Sequence, residues 1–359
     1  MHMEVVVVVG AGQAGLSSAY HLSRAGLEDF VVLDDAPAPG GAWQHRWDAL
    51  TLRHAHGIHD LPGMALPDDA DPDERASVVV PDYFAAYERE FDLPVHRPVR
   101  VLAVREPRPE ESTSGNLLAV DTDHGTVLTR GVINATGTWQ KPFWPTYPGQ
   151  TSFTGRQLHS RDYRSAEEFA GQHVIVIGGG TSAVQLLLEL GHVASTTWVT
   201  RRAPVFDSPD LDEEASCLAV ARVEERVRVG LPPQSVVSAT GLRLTEANRR
   251  GLDSGVLYRM PMFTRVVSDG VVWAPELVPP APEYLSADVL LWATGFRPAL
   301  DHLTPLRLRT RGGGIVMDGP EVVADPRVQL VGYGPSASTV GANRAGRQAV
   351  RNLRRVLGF

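Results

Sequence analysis

The stretch VVVVVGAGQAG (Val5–Gly15) decides the fold that this sequence predicts. Five consecutive valines form a continuous apolar run, which is typical of a strand buried on both faces in a parallel sheet. The glycines at positions 10, 12 and 15 fit the pattern G-x-G-x-x-G, and a helix-like stretch then extends to Gly26. A second apolar run, Phe30 to Leu33, completes a β-α-β unit. Glycines at this spacing permit a tight turn, close approach of a pyrophosphate and close helix packing, so we expect dinucleotide binding.

The acidic residue after the second strand strengthens this interpretation. Asp34 lies 24 residues beyond Gly10, where a carboxylate holds the ribose hydroxyls of a dinucleotide. The start of the helix would offer free N–H groups and the positive end of its dipole to the phosphates. The alternative is a glycine-rich turn that serves packing only.

The same pattern recurs in the second half of the chain. A strand is expected at Val174–Ile177, and Gly178, Gly180 and Ala183 then fit G-x-G-x-x-A at the start of a helix. The next strand, Thr197–Thr200, ends at Arg201-Arg202 instead of at an acid. Guanidinium groups bind phosphate through paired hydrogen bonds, so this second site favours NADP over NAD. The alternative is a solvated basic pair.

The remaining segments divide into short strands, linkers and helices. Further elements are expected as antiparallel strands at Val99–Val104, Leu117–Thr122 and Thr126–Leu128 with a turn at Asp123-His124-Gly125, a helix at Leu211–Val229, strands at Val289–Trp292 and Val328–Val331, and an amphipathic helix at Gly341–Leu357. Proline-rich stretches at 142–148 and 275–282 are expected to be linkers.

Composition excludes several classes of protein. The chain has 359 residues, 34 basic against 42 acidic side chains and a net charge of −8, which argues against a nucleic-acid partner. The single cysteine, Cys217, excludes an intramolecular disulfide and a C-x-x-C redox pair, and we expect it to be structural. The apolar run at Val5–Val9 is too short for a signal peptide or a membrane span. The expected location is therefore the cytoplasm.

Two dinucleotide sites of different character constrain the function. An acid-type site followed by an arginine-type site predicts a bound flavin that accepts hydride from a nicotinamide. Many two-site flavoproteins pass the electrons on to a disulfide. One cysteine closes that route.

At this point the sequence resembles the flavin-containing monooxygenase-like flavoproteins, which include Baeyer–Villiger monooxygenases and N-hydroxylases. Gly40-Gly41-Ala42-Trp43 matches the family's G-G-x-W, and residues 153–163, FTGRQLHSRDY, match its F-x-G-x-x-x-H-x-x-x-(aromatic) fingerprint. The turns Ala135-Thr136-Gly137 and Ala293-Thr294-Gly295 match its paired A-T-G motifs. Residues 203–287 match least.

The resemblance implies FAD and NADPH as cofactors and a cycle in which reduced flavin adds O2 to form a C(4a)-peroxyflavin. One oxygen atom would then be inserted into a small-molecule substrate, at N or S, because the fingerprint ends in Tyr163 whereas the Baeyer–Villiger version ends in tryptophan. Alternatives are Baeyer–Villiger oxygenation of a ketone, an NADPH:acceptor oxidoreductase without oxygen insertion, and a non-enzymatic nucleotide sensor. The resemblance gives His159 a supporting role between the cofactors and not proton transfer.

The expected cofactor contacts follow from these motifs. They are Gly10, Gly12, Gln13, Ala14, Gly15, Asp34, Gly41, Trp43, Val101, Thr136, Gly137, Gly178, Gly180, Thr181, Ser182, Arg201, Arg202, Thr294, Gly295, Gly332, Thr339 and Asn343. No catalytic residue is assigned.

The segment that follows G-G-x-W is rich in histidine. Arg53, His54 and His56 are candidates for the substrate pocket, and we expect no metal site there, because a metal needs a closed ligand set. The segment Met260–Phe263 is either a pocket wall or, more simply, apolar packing.

The predicted architecture is therefore an α/β fold with two Rossmann-like dinucleotide-binding domains. The FAD domain would comprise residues 1–160 and 288–359, with an NADPH domain at 161–287 inserted between them. The expected partners are a small-molecule substrate and O2, without nucleic acid or membrane, and a homo-oligomer remains open.

Overall fold

The fold was derived from a computed structural model that describes residues 2–55, 58–112, 116–207, 213–233, 241–278 and 281–358. The chain forms two compact units. Unit 1 contains residues 1–140, 220–236 and 298–359, and unit 2 contains residues 141–219 and 237–297.

The strands and helices follow in chain order. The strands are β1 (His2–Val9), β2 (Phe30–Leu33), β3 (Val95–His96), β4 (Val101–Arg105), β5 (Leu118–Thr122), β6 (Gly125–Asn134), β7 (Arg156–His159), β8 (His173–Ile177), β9 (Ser195–Thr200), β10 (Phe206–Asp207), β11 (Leu242–Arg243), β12 (Arg259–Pro261), β13 (Arg265–Val267), β14 (Gly270–Val272), β15 (Tyr284–Ser286), β16 (Val289–Trp292), β17 (Met317–Asp318), β18 (Glu321–Val322) and β19 (Val328–Leu330). The helices are α1 (Gln13–Arg24), α2 (Ala76–Glu90), α3 (Thr181–Leu190), α4 (Glu213–Arg228), α5 (Glu246–Asp253) and α6 (Thr339–Leu357).

Unit 1 is built on a parallel sheet. Its central strands lie in the order β3-β2-β1-β6-β19, and β17 and β18 extend the β19 edge in antiparallel fashion. Strand β1 pairs with β2 on one side and with β6 on the other, both in parallel. The strand order therefore reverses at β1, and ligands of open α/β sheets bind at the carboxyl ends of the strands beside such a switch point.

The valine run of β1 is buried on both faces. Val6, Val7 and Val8 have no exposed surface, and Val9 is 4 % exposed. Val6 and Val8 belong to the apolar cluster that includes residues of α1 and α6, whereas Val7 and Val9 belong to the cluster on the other face. Burial of a valine side chain stabilises the fold by about 1.5 kcal/mol or more, so each of these four residues contributes to stability on its own face of the sheet.

Unit 2 repeats this plan with a smaller parallel sheet. Its strands lie in the order β12-β9-β8-β16-β7, and every neighbouring pair is parallel. The order reverses at β8, which pairs with β9 on one side and with β16 on the other. A small antiparallel sheet of β13, β14 and β15 completes the unit.

Most predicted elements are confirmed, with one difference in β6. The sequence predicts a short strand at Thr126–Leu128 that ends before Gly131, but Gly125 to Asn134 form one continuous strand. Its first half pairs with β5 as a hairpin, and its register with β1 extends from Val127 to Asn134. Pairing with β1 over this length keeps the chain extended through Gly131.

The mixed α/β class with two parallel sheets is confirmed. Across the residues that the structure describes, no helix is both long and apolar enough to cross a membrane.

Two histidines of unit 1 make stability depend on pH. Burial, and then Arg347 and Arg351, lower the pKa of His21 to about 4. Burial lowers the pKa of His302 to about 4, and its Nε2 donates to Asn134 Oδ1 at 2.6 Å. Both side chains are therefore neutral in the folded protein, whereas the unfolded chain takes up protons near pH 6.5.

We expect the free energy of unfolding to fall as the pH drops from 7 to 5. For the more buried His302 the loss is about 2 kcal/mol at pH 5, because a proton binds only the unfolded state there. Denaturant titrations of wild type and His302→Gln at both pH values measure it. The variant retains a donor for Asn134 and should lose part of the pH dependence. His192→Gln, at an exposed site, is the control and should match wild type. An unchanged pH dependence in His302→Gln would contradict the assignment.

Candidate functional site

The turn between β1 and α1 is held by close backbone contacts. Gly10 has φ +98°, and a Cβ there would lie 2.7 Å from the carbonyl oxygen of Ala135. A Cβ at Gly15 would lie 1.8 Å from the Gly10 carbonyl oxygen. Glycine is required at both positions, because α1 begins directly against the turn.

The first turn of α1 has no side-chain cap. Its N-cap is Gly12, and no side chain accepts a hydrogen bond there. A Cβ built on Gly41 (φ +52°) would come within 3.0 Å of Gly12 Cα, so two glycines face each other beside the helix terminus. The first N–H groups of a helix lack intrahelical partners, and an anion such as a pyrophosphate satisfies them. This backbone-lined cradle extends to Gln13, Ala14 and Gly15.

Asp34 lies where the sequence predicts it, directly after β2, but it is not free. Its carboxylate accepts a hydrogen bond from Arg97 Nε at 3.2 Å, and Arg97 also binds Glu88 through two bonds of 2.6 and 2.8 Å. Burial raises the pKa of Asp34, although the Arg97 guanidinium acts in the opposite direction. A ribose that reached Asp34 would therefore meet a carboxylate already oriented by an arginine.

Gln13 and Asn343 are brought together from positions 330 residues apart. Gln13 Nε2 donates to Asn343 Oδ1 at 3.0 Å, and Asn343 Nδ2 donates to the carbonyl of Asp60 at 2.7 Å. Thr339 begins α6, and Ser338 caps that helix by accepting from Gly341 N–H at 3.1 Å. The amide groups of Gln13 and Asn343 thus join the starts of α1 and α6, and both make hydrogen bonds within the protein.

Other predicted contacts in unit 1 lie at strand ends. The Thr136 hydroxyl donates to the Ala299 carbonyl at 2.7 Å, and Gly137 has φ +60° with open space around it. The N–H of Gly332 donates to Ser336 Oγ at 3.1 Å, and a Cβ on Gly332 would lie 3.5 Å from Ala14 Cβ. Val101 is half-buried at the start of β4.

The turn of unit 2 has the same construction as that of unit 1. Gly178 has φ +149°, and a Cβ there would lie 2.1 Å from the Ala293 carbonyl oxygen, as Gly10 does against Ala135. Gly180 is the N-cap of α3, without a side-chain cap and with open space around it. Thr181 and Ser182 follow in the first turn, half-buried. In each unit, the first glycine of the turn lies on the alanine of an A-T-G motif.

Arg201 and Arg202 follow β9 and are exposed. Among the residues that the structure describes, neither arginine has an acidic partner. The backbone there is fixed, because the Thr200 hydroxyl donates to the Arg202 carbonyl at 2.6 Å, and Arg259 donates to both the hydroxyl and the carbonyl of Thr200. Two guanidinium groups are thus displayed at the strand end where a 2′-phosphate would bind.

His159 has no nitrogen left for proton transfer. Its ring is fully buried, Nε2 donates to the Gly295 carbonyl at 3.0 Å, and Nδ1 accepts from the N–H of Arg161 at 3.1 Å. Burial lowers the pKa of His159, so the ring is neutral. The Gly295 carbonyl also accepts from the N–H of Phe143, while Thr294 donates to the Phe143 carbonyl. His159 therefore positions the second A-T-G turn within unit 2.

The fingerprint's aromatic residue is part of the core of unit 2. Tyr163 is buried, stacks on Phe169 at 5.6 Å and donates to Glu189 at 2.8 Å. Burial, with the nearby Glu189, raises the pKa of Tyr163. In Met260–Phe263, Phe263 is 2 % exposed and belongs to the apolar core cluster, which favours the packing interpretation.

The pocket candidates of the histidine-rich stretch have partners elsewhere. Arg53 forms an exposed ion pair with Asp73 through bonds of 2.9 and 3.1 Å, and the His54 ring bonds to the Thr51 hydroxyl at 2.8 Å. His56 lies outside the described residues. Cys217 lies within α4, where only the backbone is described. No cluster of three or more His, Cys, Asp or Glu that could hold a metal occurs in the described part of the chain.

Sequence reasoning missed several polar residues near the candidate sites. Arg97 is distant from Asp34 in sequence, and no motif indicates their pairing. Arg46 and Trp139 come together beside Trp43, with the guanidinium 5.4 and 5.2 Å from the two indole centroids. The sequence signal for Arg46 was its position three residues after the tryptophan of G-G-x-W, which places it close to that motif.

Comparison with known proteins supports the architecture. The sequence profile of the pyridine nucleotide-disulphide oxidoreductase family matches residues 7–239. The solved structure of a flavin-containing monooxygenase from Stenotrophomonas maltophilia is similar over 99 % of this chain and 100 % of that one, with 37 % identity and a TM-score of 0.81.

Curated relatives match over a shorter range. An uncharacterized oxidoreductase, CzcO, from Bacillus velezensis is 28 % identical over 56 % of this chain and 55 % of its own length. Indole-3-pyruvate monooxygenase YUCCA1 from Oryza sativa is 32 % identical over 54 % of this chain and 47 % of its own length. The chain spans about half the length of these relatives.

The geometry and the comparisons agree. The two turns with uncapped helix termini are those of a two-dinucleotide-binding flavoprotein, and FAD and NADPH are the cofactors of the matching families. The chain is an oxidoreductase that belongs to the pyridine nucleotide-disulphide oxidoreductase family and is a relative of the flavin-containing monooxygenases.

Proposed function

We propose that the protein is an NADPH-dependent, FAD-containing monooxygenase that inserts one oxygen atom from O2 into a small molecule, at nitrogen or sulfur. The second oxygen atom would leave as water, with two electrons supplied by NADPH as one hydride and one proton taken from solvent. The proposal rests on two β-α-β units with glycine-rich turns in a chain of 359 residues that has a single cysteine. An acid follows the second strand of the first unit, and two arginines follow the second strand of the other. Electrons from a reduced flavin could not pass to a disulfide within this chain, because a disulfide needs two cysteines. O2 is then the simplest electron acceptor.

Unit 1 fits FAD. The uncapped start of α1 and the facing glycines Gly12 and Gly41 would accept the pyrophosphate, because no Cβ fills the space between them. Asp34, oriented by Arg97, would bind ribose hydroxyls. When bound, FAD supplies the redox centre that takes up hydride and reduces O2. The remaining proposed contacts of unit 1 are Gln13, Ala14, Gly15, Trp43, Val101, Thr136, Gly137, Gly332, Thr339 and Asn343.

Unit 2 fits NADPH. The uncapped start of α3 at Gly180, with open space around it, would accept a pyrophosphate next to Thr181 and Ser182. Arg201 and Arg202 would bind the 2′-phosphate that distinguishes NADPH from NADH. His159 would hold the Gly295 turn in place through its Nε2–H, so that Thr294 and Gly295 present a fixed edge to the nicotinamide nucleotide.

The FAD cradle is tested by Gly41→Ala. We expect the purified variant to contain about tenfold less FAD per protein than wild type, because the new Cβ would lie 3.0 Å from Gly12 Cα and fill the cradle. Gly26→Ala is a matched control. It has the same kind of positive φ (+79°) but meets no atom within 4 Å, so both variants pay a similar backbone cost of about 1 kcal/mol. The ratio of flavin to protein absorbance measures the difference. Equal retention in both variants would contradict the assignment of FAD to this turn.

The arginine pair is tested by Arg201→Ala combined with Arg202→Ala. We expect the KM for NADPH to rise about 10- to 100-fold and the KM for NADH to change less than about twofold, since only NADPH loses charge-assisted hydrogen bonds. Steady-state oxidation of each cofactor measures both constants. Arg249→Ala with Arg250→Ala removes an adjacent exposed pair on α5 of the same unit and should change neither constant. Equal losses for NADPH and NADH would refute the assignment.

Oxygen insertion is tested with isotopically labelled O2. Holoprotein, NADPH and ¹⁸O2 are incubated with methyl phenyl sulfide, N,N-dimethylbenzylamine or cyclohexanone, and the products are analysed by mass spectrometry. We expect one heavy oxygen atom in the sulfoxide or the amine oxide, with less hydrogen peroxide per NADPH than in the absence of substrate. Label in the lactone alone would favour Baeyer–Villiger chemistry. Peroxide equal to NADPH consumed with every substrate would favour an oxidoreductase without oxygen insertion.

A further inference from the structure

Arg46 is a half-buried cation, and one of its hydrogen-bonding groups has no partner. It follows the short 3-10 helix Gly41–His45, and its Nε atom is buried without a hydrogen-bond partner. Leaving a buried charged donor unpaired costs more than leaving a neutral one. Such a group in a folded protein asks for an explanation, and a missing ligand is one.

Three other poorly exposed arginines of unit 1 differ from Arg46 because they form ion pairs. The side chains of Arg97, Arg105 and Arg327 are 12, 16 and 18 % exposed, and each forms ion pairs with two carboxylates. Within the described ranges, no acidic side chain pairs with Arg46. Burial lowers the pKa of Arg46, and no carboxylate acts to raise it. The guanidinium groups of Arg97, Arg105 and Arg327 are thus neutralised by carboxylates, whereas that of Arg46 has no carboxylate partner among the described residues.

The surroundings of Arg46 are aromatic. Its guanidinium lies 5.4 Å from the centroid of Trp43 and 5.2 Å from that of Trp139, within the range of cation–π attraction. The His45 ring stacks on Trp139 at 5.5 Å and 9°. These contacts hold the guanidinium plane in place but supply no negative charge. A planar guanidinium fixed in this way is suited to bind a carboxylate through two hydrogen bonds.

We propose that Arg46, together with Trp43 and Trp139, forms a subsite for the carboxylate of an aromatic organic acid, which is the substrate class of this enzyme. The inference rests on the proposed function, because the carboxylate would belong to the molecule that is oxygenated. Protonated amines would be disfavoured there by like-charge repulsion. Within unit 1, Trp43 is two residues from Gly41, which faces the start of α1, so the subsite adjoins the proposed FAD cradle.

The test is calorimetric binding of 4-(methylthio)benzoate and of its methyl ester to oxidised holoprotein without NADPH. These probes share the aromatic sulfide and differ in the charge. We expect wild type to bind the acid at least tenfold more tightly than the ester. Arg46→Met should weaken binding of the acid at least tenfold and leave binding of the ester within about twofold. Arg46→Lys, which keeps the charge but loses the planar fork, should fall between them. Arg89→Met, at an exposed arginine of α2, should match wild type.

A stability measurement separates loss of a ligand group from loss of the fold. Arg46→Met removes a buried donor that has no partner and keeps an unbranched apolar side chain against the two indoles, so the variant should melt at the wild-type temperature or above it. A structural role for Arg46 would instead lower Tm and weaken both probes alike.

Three further results would overturn the proposal. The first is equal affinity of wild type for acid and ester, and the second is an Arg46→Met variant that binds the acid as wild type does. The third is loss of FAD from Arg46→Met and Arg46→Lys, because the anion would then be a phosphate of the cofactor. No oxygen transfer is needed for any of these readings, so failure of the oxygenation test would not be confused with failure of the subsite.

Discussion

The whole arrangement depends on one steric constraint, the contact of α1 with the turn that precedes it. A single added carbon at Gly15 would lie 1.8 Å from the Gly10 carbonyl oxygen. Helix α1 can therefore start directly beside the end of β1, with its uncapped N–H groups at the carboxyl edge of the sheet. The valine run of β1 fixes the position of this edge, because the side chains on both faces of the strand are buried in the core. The cradle beside Gly12 and Gly41 follows from that placement.

Much of the fold could be predicted because its signals are local. An unbroken β-branched run, a glycine pattern and a helix-like stretch lie next to one another in the chain, and each reflects a short-range requirement. The second turn at Gly178 was predicted in the same way. The continuity of β6 was not, because a glycine within a strand weakens the local signal, and pairing with β1 across the sheet overrides it.

The site could be predicted only where its residues belong to a motif. The glycines, Asp34 and the two arginines stand at positions that a turn or a strand end dictates. The pairing of Asp34 with Arg97, or of Gln13 with Asn343, depends on side chains 63 and 330 residues apart. No pattern within one segment carries that information. Arg46 could not be predicted for the same reason, because only the folded structure shows that no carboxylate among the described residues pairs with it.

In both units, the first glycine of the turn packs against the alanine of an A-T-G motif, and this repetition bears on how the chain evolved. Gly10 lies against Ala135, and Gly178 lies against Ala293, although the two pairs share no core. Duplication of one module, with one copy inserted into the other, would produce this arrangement. Each copy would then retain the contact that its own turn requires, while the residue at the end of its second strand would be free to diverge. Under the proposed assignment, Asp34 in one copy and the two arginines in the other would be the positions at which one nucleotide-binding module became two of different specificity.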